Sequence, residues 1–451
     1  MPQGSIQNGR GHGGHGHGHG GHGHGHNEEP RHLPADLNGP VAEITVWRNR
    51  ALIWAAIFGL GSLVFLFTGH LDHFLRAWVV GFMLLFGLTV GGMALLMVQY
   101  VTGGKWGVIL RRPLEAMSRC LPLLALMWLP IGFGVKHLYL WASVKNAAAA
   151  LAAGTITEAQ AHAIEWKRPM LNIPGFWIRA AIYFLIWGFY AWKLNAWSMQ
   201  READPNADSE PRVAYWRTKF ENLSGFGIIV YAITLTGGAI DWVMSMDVTW
   251  YSSIWGLLYL VGQGFSVLAL SIMMVLILSK WQPYETVLRV TEQQDLGKLT
   301  FAFVMLNIYL AFSQFLIIWS GNSPEEIPWY LARFGGGWAV IITLDFIFHW
   351  VIPFTLLLSR PFKRNKRKMI LLCKWIIFAR AWDLWWQVAP GFPDSRRNLH
   401  WSVGMCAYLV VPIFMGALWL AYYFTQLKSR PVFIAHDPHV AEVLEPEHVH
   451  A

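Results

Sequence analysis

"GGGWAVIITLDFIFHWVIPFTLLLS", residues 335–359, is apolar over the length of a bilayer crossing, yet it carries Asp345 and His349. A helix rises about 1.5 Å per residue, so roughly 20 apolar residues cross the ~30 Å hydrocarbon layer. Nine comparable stretches lie near 51–68, 76–99, 117–140, 175–198, 222–246, 254–279, 298–320, 369–389 and 401–425. Backbone facing lipid must satisfy its own hydrogen bonds, so the expectation is an all-α polytopic membrane protein with about ten transmembrane helices.

Composition agrees. The 451 residues are 55% hydrophobic and only 14% charged, with 26 Trp, a residue that favours membrane interfaces. The formal net charge of +8 is spread over alternate loops, so no nucleic-acid partner is implied. One set of loops holds most of it, including Lys105, Arg111 and Arg112, Arg201 to Lys219, and Arg360 to Lys368; the opposite set holds Lys145, Lys167, Arg168, Arg333, Arg396 and Arg397. The positive-inside rule makes the first set cytoplasmic, and an even span count then places both termini inside. No signal peptide is visible ahead of the first apolar run.

Three segments follow. Residues 1–46 read as a disordered cytoplasmic tail rich in His and Gly, 47–428 as the membrane domain and 429–451 as a short cytoplasmic tail. The tract containing His12, His15, His17, His19, His22, His24 and His26 offers only loose metal affinity. In the 141–174 connection, Thr155 and Glu158 fit a capping box. The basic amphipathic segment 103–119 is expected at the interface. Cys120, Cys373 and Cys406 sit in or beside apolar runs, with no spacing for an iron–sulfur cluster or c-type haem, and read as buried small hydrophobes.

Ionisable groups within a span are costly and therefore candidates for function. Asp345 and His349, four apart, share one helix face, and Pro353 withholds the N–H that the His349 carbonyl would accept. A titratable imidazole beside a carboxylate suits a proton relay or a quinol hydroxyl. Asp241 lies in another span, Ser313 and Gln314 in a third; these five are the proton-path candidates, with interhelical hydrogen bonding as the alternative. Arg380 and Asp383, three apart, read as an internal ion pair, and Arg179 as a snorkelling side chain. A b-type haem would need a second His at the depth of His349, and none is apparent.

Four stretches carry a family resemblance: "QYVTGGKWGVILRRPLEA" (99–116), "WKRPMLNIPGFWIRAAIYF" (166–184), "DWVMSMDVTWYSSIWG" (241–256) and "DLGKLTFAFVMLNIYLAFSQFLIIWSGNSPEEIPWY" (295–330). Over about 45–428 the chain resembles the F subunits of alternative complex III, a bacterial quinol:cytochrome c oxidoreductase. The resemblance implies ten helices, eight of them in two four-helix bundles with two flanking helices, as in polysulfide-reductase-like (NrfD-like) subunits. It also implies the bacterial cytoplasmic membrane, and as partners the lipid bilayer, a homologous quinol-binding membrane subunit, an iron–sulfur subunit, and multihaem and monohaem cytochrome c subunits. Haem c and iron–sulfur clusters would then belong to those partners. This chain would hold no redox centre, with a quinone contact or a proton path as its share. By position, Asp241 opens the "DWVMS" motif and His349 with Pro353 matches a His-x-x-x-Pro pattern; Asp345 is not placed, its matching positions being often apolar. Two other classes stand beside this reading: a secondary transporter, which would need discontinuous helices and inverted repeats, and a purely structural anchor.

Overall fold

The computed structural model describes residues 31–392, 399 and 402–445. The long helices are α1 Val41–Phe67, α2 Leu71–Thr102, α3 Lys105–Ser118, α4 Leu121–Phe133, α5 Ile173–Glu202, α6 Glu210–Trp242, α7 Trp255–Leu278, α8 Val290–Gly321, α9 Trp338–Leu358, α10 Lys366–Val388 and α11 Ala407–Lys428. Among the described residues eight helices are long and apolar enough to cross a membrane, or nine if α3 and α4, bent by 44° at their junction, form one crossing. The tenth expected stretch, 369–389, is α10. Its 23 residues could span, but Lys374, Arg380 and Asp383 make it too polar to count by composition. It tolerates Arg380 and Asp383 because it packs on α2, α7 and α9, so those two side chains meet protein instead of lipid, whereas Lys374 is exposed. The chain is an all-α polytopic membrane protein.

Two helices sit at the centre. The apolar windows of α2 and α7 are 94% and 83% buried, whereas those of α1, α5 and α8 are each 22% buried and leave an apolar face outward. Gly87 and Gly91 explain the close approach of α2 to α7. A Cβ on Gly91 would stand 3.0 Å from the Gln263 Cβ, so only hydrogen leaves room for the seam. Around this seam α2, α3–α4, α5 and α6 form one bundle and α7, α8, α9 and α10 a second, while α1 and α11 pair with each other along α2.

Helix starts follow local chemistry. Asn172 caps α5 by accepting from Gly175 N at 2.7 Å, and Asn365 caps α10 through Lys368 N at 3.1 Å. In the 141–174 connection the capping box falls two residues later than expected, on Thr157 and Gln160, because Thr155 turns back to the Ala150 carbonyl. Cys406 is exposed, correcting its reading as a buried hydrophobe; Cys120 and Cys373 are buried.

Three segments behave differently from their sequence reading. The first tail ends sooner, since α1 already begins at Val41 and Ile44 is fully buried; the His tract lies outside the described residues. The segment 103–119 is not spread along a surface: Lys105 is exposed, but 107–118 is buried throughout. Arg111, Arg112 and Glu115 of α3 are 1%, 3% and 0% exposed, because buried acids and amides, not water, meet its polar face. Finally, 429–445 packs into the body: Val432, Phe433 and Ile434 are buried, and Val432 N donates to Leu37 O at 2.8 Å. Arg31 N also donates to Leu444 O, so both described ends lie on the same side of the molecule.

Candidate functional site

A cavity of about 310 Å³ opens within the second bundle. Its wall is aromatic, with Tyr259, Phe315, Trp329 and Trp386, and its polar end is formed by Asp345, His349, Arg380 and Asp383. All four of these residues are at least 93% buried. The backbone explains part of this placement. Residues Phe346–Val351 form a π-helical turn inside α9, in which Ile352 N bonds to Ile347 O five residues back. In that register the Phe348 carbonyl would look to Pro353, which has no N–H. Trp375 Nε1 of α10 donates to it at 3.0 Å. The carbonyl that needs an outside donor is therefore that of Phe348; the sequence reading, which assumed an α register, placed it on His349.

The polar end is a linked set. Asp383 is ion-paired with Arg380 one turn earlier and accepts from Gln387 Nε2 at 2.9 Å on both oxygens. Gln387 is held in turn by the Tyr259 hydroxyl, which donates to its Oε1 at 2.6 Å. His349 Nδ1 stands 4.0 Å from Asp383 Oδ2, and one ligand-type atom each of Asp345, His349 and Asp383 fall within 4.8 Å of one another. Such a trio could in principle hold a metal ion. Here Arg380 and Gln387 already occupy the Asp383 oxygens, and a guanidinium neighbour repels a cation. The groups left over are Asp345 Oδ1 and His349 Nε2, both buried and without a hydrogen-bond partner. Unmade hydrogen bonds of this kind are costly, and beside a cavity they leave two polar atoms free to bond a water or another polar group.

The remaining candidates separate. Gln314 lines the cavity and accepts weakly from Ser252 Oγ at 3.4 Å, whereas Ser313 is half-buried and not part of the wall. Asp241 lies in the first bundle and is closed off. Arg179 donates to both its oxygens, through Nε at 2.8 Å and Nη2 at 2.9 Å, and the Tyr183 hydroxyl donates at 3.2 Å. Arg179 is thus an interhelical partner, correcting its reading as a snorkelling side chain. His12, His15, His17, His19, His22, His24 and His26 lie outside the described residues.

Both bundles use one arrangement. The third helix sets an i,i+4 pair towards an aspartate of the fourth: Arg179 and Tyr183 towards Asp241, Asp345 and His349 towards Asp383. The first is a finished ion pair, while the second leaves polar atoms unused beside a cavity. Sequence reasoning missed Gln387, Tyr259 and the role of Asp383. Arg380, Asp383 and Gln387 follow the i, i+3, i+7 spacing of one helix face, which was the available signal. Comparison with protein-family models and with curated proteins found no match.

Proposed function

We propose that this chain is a membrane subunit of a respiratory quinol-oxidising complex of the alternative complex III type, and that it moves protons through the Asp345–His349–Asp383 cluster while electrons pass through partner subunits. The observation that carries the reading is the pair of unpartnered buried groups, Asp345 Oδ1 and His349 Nε2, at the polar end of an aromatic cavity. The quoted family stretches support the same assignment.

The charge count favours proton handling. Arg380 and Asp383 neutralise each other, so a single proton shared by Asp345 and His349 makes the whole cluster neutral whichever of them holds it. Moving that proton between the two changes no net buried charge, which avoids the large cost of an isolated ion in a low dielectric. The aromatic wall would accept the ring of a quinol, with a hydroxyl offered to His349 Nε2 or Asp345 Oδ1.

The test is made on the intact complex in proteoliposomes. Asp345→Asn and His349→Leu should each lower turnover or proton release by about a hundredfold, the range of lost acid–base catalysis. The absorption of co-purifying c-type haem should stay unchanged. Normal turnover and proton stoichiometry in both variants would refute the proton role, and a haem-free protein on isolation would refute membership of the complex.

A further inference from the structure

A second cavity, about 200 Å³, lies at the end of the molecule where α2 and α5 finish and α6 begins. Its wall includes Tyr100, Arg111, Arg201, Phe220 and Asp437, together with two paired acids, Glu221 with Arg217 and Asp208 with His436. Asp437 bridges two guanidiniums, at 2.6 Å from Arg111 Nη1 and 3.0 Å from Arg201 Nη1. The network continues through Arg112, Arg119 and Arg430, which meet Glu115, and Arg112 also faces Glu202 at 3.8 Å. That makes five guanidiniums, Arg111, Arg112, Arg119, Arg201 and Arg430, against three carboxylates, Glu115, Glu202 and Asp437. None of these side chains is more than 19% exposed. Of the two surplus positive charges, one is at the cavity wall, where Arg111 and Arg201 share the single carboxylate of Asp437, and buried charge is stable only when paired.

The donors are unfinished in the same place. Arg201 is 5% exposed, gives Nη1 to Asp437, and leaves Nε and Nη2 with no acceptor. The Tyr100 hydroxyl is also buried and unpartnered, its ring stacked on Phe220 at 4.1 Å and under Arg111 at 4.9 Å. The Nε/Nη2 edge of a guanidinium is a fork matched to two oxygens of one anion, and phosphate is an acceptor with the required charge. Trp216, another wall residue, belongs to an aromatic cluster with Trp197 and Tyr215 around Lys219, the residue types that sit at headgroup level.

The geometry points to a phosphate-binding site in this cavity, in which Arg201 Nε and Nη2 and the Tyr100 hydroxyl donate to the phosphate of a lipid headgroup or of a soluble phosphate, beside the Asp437 bridge. Asp437 is then a competing internal anion, and removing its charge should strengthen binding while weakening the hold on residues 429–445.

The full chain is purified in a phosphate-free, zwitterionic-lipid-free detergent, and its thermal unfolding is followed at constant ionic strength. Three probes are added separately: sodium phosphate, phosphatidylglycerol and phosphatidylcholine in mixed micelles. At least one should raise the melting temperature of the wild type in a saturable way. Arg201→Gln should weaken that response about tenfold or more, Tyr100→Phe a few-fold, and Asp437→Asn should tighten it. A response to phospholipid alone assigns a lipid headgroup, and a response to sodium phosphate assigns a soluble ligand. No saturable response to any probe, or equal responses in the wild type, Tyr100→Phe and Asp437→Asn, overturns the site. Those two variants keep all five guanidiniums, so misfolding of Arg201→Gln would not decide the outcome.

Discussion

Arg179→Leu distinguishes a structural Asp241 from a proton-carrying one, because the two partners of this pair are unequally buried. Asp241 is 1% exposed and Arg179 is 21% exposed. Removing Arg179 strands a carboxylate with only the Tyr183 hydroxyl, and breaking a buried pair in this way costs about 3–5 kcal/mol. Asp241→Asn leaves the opposite remainder. Arg179 keeps its bond to the Met170 carbonyl at 2.8 Å and has a route to water, so the cost falls to about 1–2 kcal/mol. The double variant Arg179→Leu with Asp241→Asn contains no stranded charge and should be more stable than Arg179→Leu alone, with a coupling energy of about 2 kcal/mol or more. Reversible unfolding in mixed micelles, followed by tryptophan fluorescence, measures all three, and proton release by the assembled complex is measured alongside. Equal costs for the two single variants, or simple additivity in the double, would refute the ion-pair account. Lost proton release in Asp241→Asn at unchanged stability would return Asp241 to the proton path.

Other consequences can be checked by the same means. Trp375→Phe removes the donor to the Phe348 carbonyl and should cost about 1–3 kcal/mol, a larger loss than Trp→Phe changes at lipid-facing positions such as Trp192. Tyr259→Phe frees Gln387 and, on the proposed function, should lower turnover without loss of the haem spectrum, since its effect reaches Asp383 only through that amide. Gly107→Ala would place a Cβ 1.7 Å from Gln99 Cγ and push away the amide that accepts from Arg111, so a fall in stability of about 1–3 kcal/mol is expected. Burial acts to raise the Asp437 carboxyl, but Arg111 and Arg201 outweigh it and hold it at about 2, below the ordinary 3.8. A depressed acid contributes stability above its unfolded value and loses it as pH falls through the folded one. Hydrogen exchange should therefore show 429–445 protected down to about pH 4 and released between 3.8 and about 2, a step absent from Asp437→Asn.

The spans were legible because lipid imposes one rule on every residue of a crossing, and length with hydropathy reads it directly. Asp345 and His349 were legible for the same reason, as violations of that rule, and the Arg380–Asp383 pair because its partners are local. Distance in the chain hid the rest. Arg179 meets Asp241 across 62 residues, and no pattern within α5 says which helix will supply its acid. The segment 103–119 was misplaced because an amphipathic face looks alike whether its polar side meets headgroups or the buried Asp437 and Glu202. The π-turn was hidden because one inserted hydrogen-bond register leaves hydropathy unchanged; Pro353 signalled a freed carbonyl but not which one.

The difference between the bundles comes down to where the cation is placed. In the first, Arg179 comes from the third helix, reaches across to Asp241 and fills the gap between helices with its own side chain. In the second, Arg380 comes from the fourth helix, three residues before Asp383, and satisfies that acid from its own side. The third helix is thereby released from neutralising the aspartate. Its two inward positions can hold Asp345 and His349, and the volume an arginine would fill remains as cavity. It follows that Asp345→Arg should close the second site as Arg179 closes the first, were Arg380 changed to Leu in the same chain. The double variant should fold, since each aspartate again faces one guanidinium, while Arg380→Leu alone should be strongly destabilised by about 3–5 kcal/mol. A double variant less stable than Arg380→Leu would show that the two bundles do not share this logic.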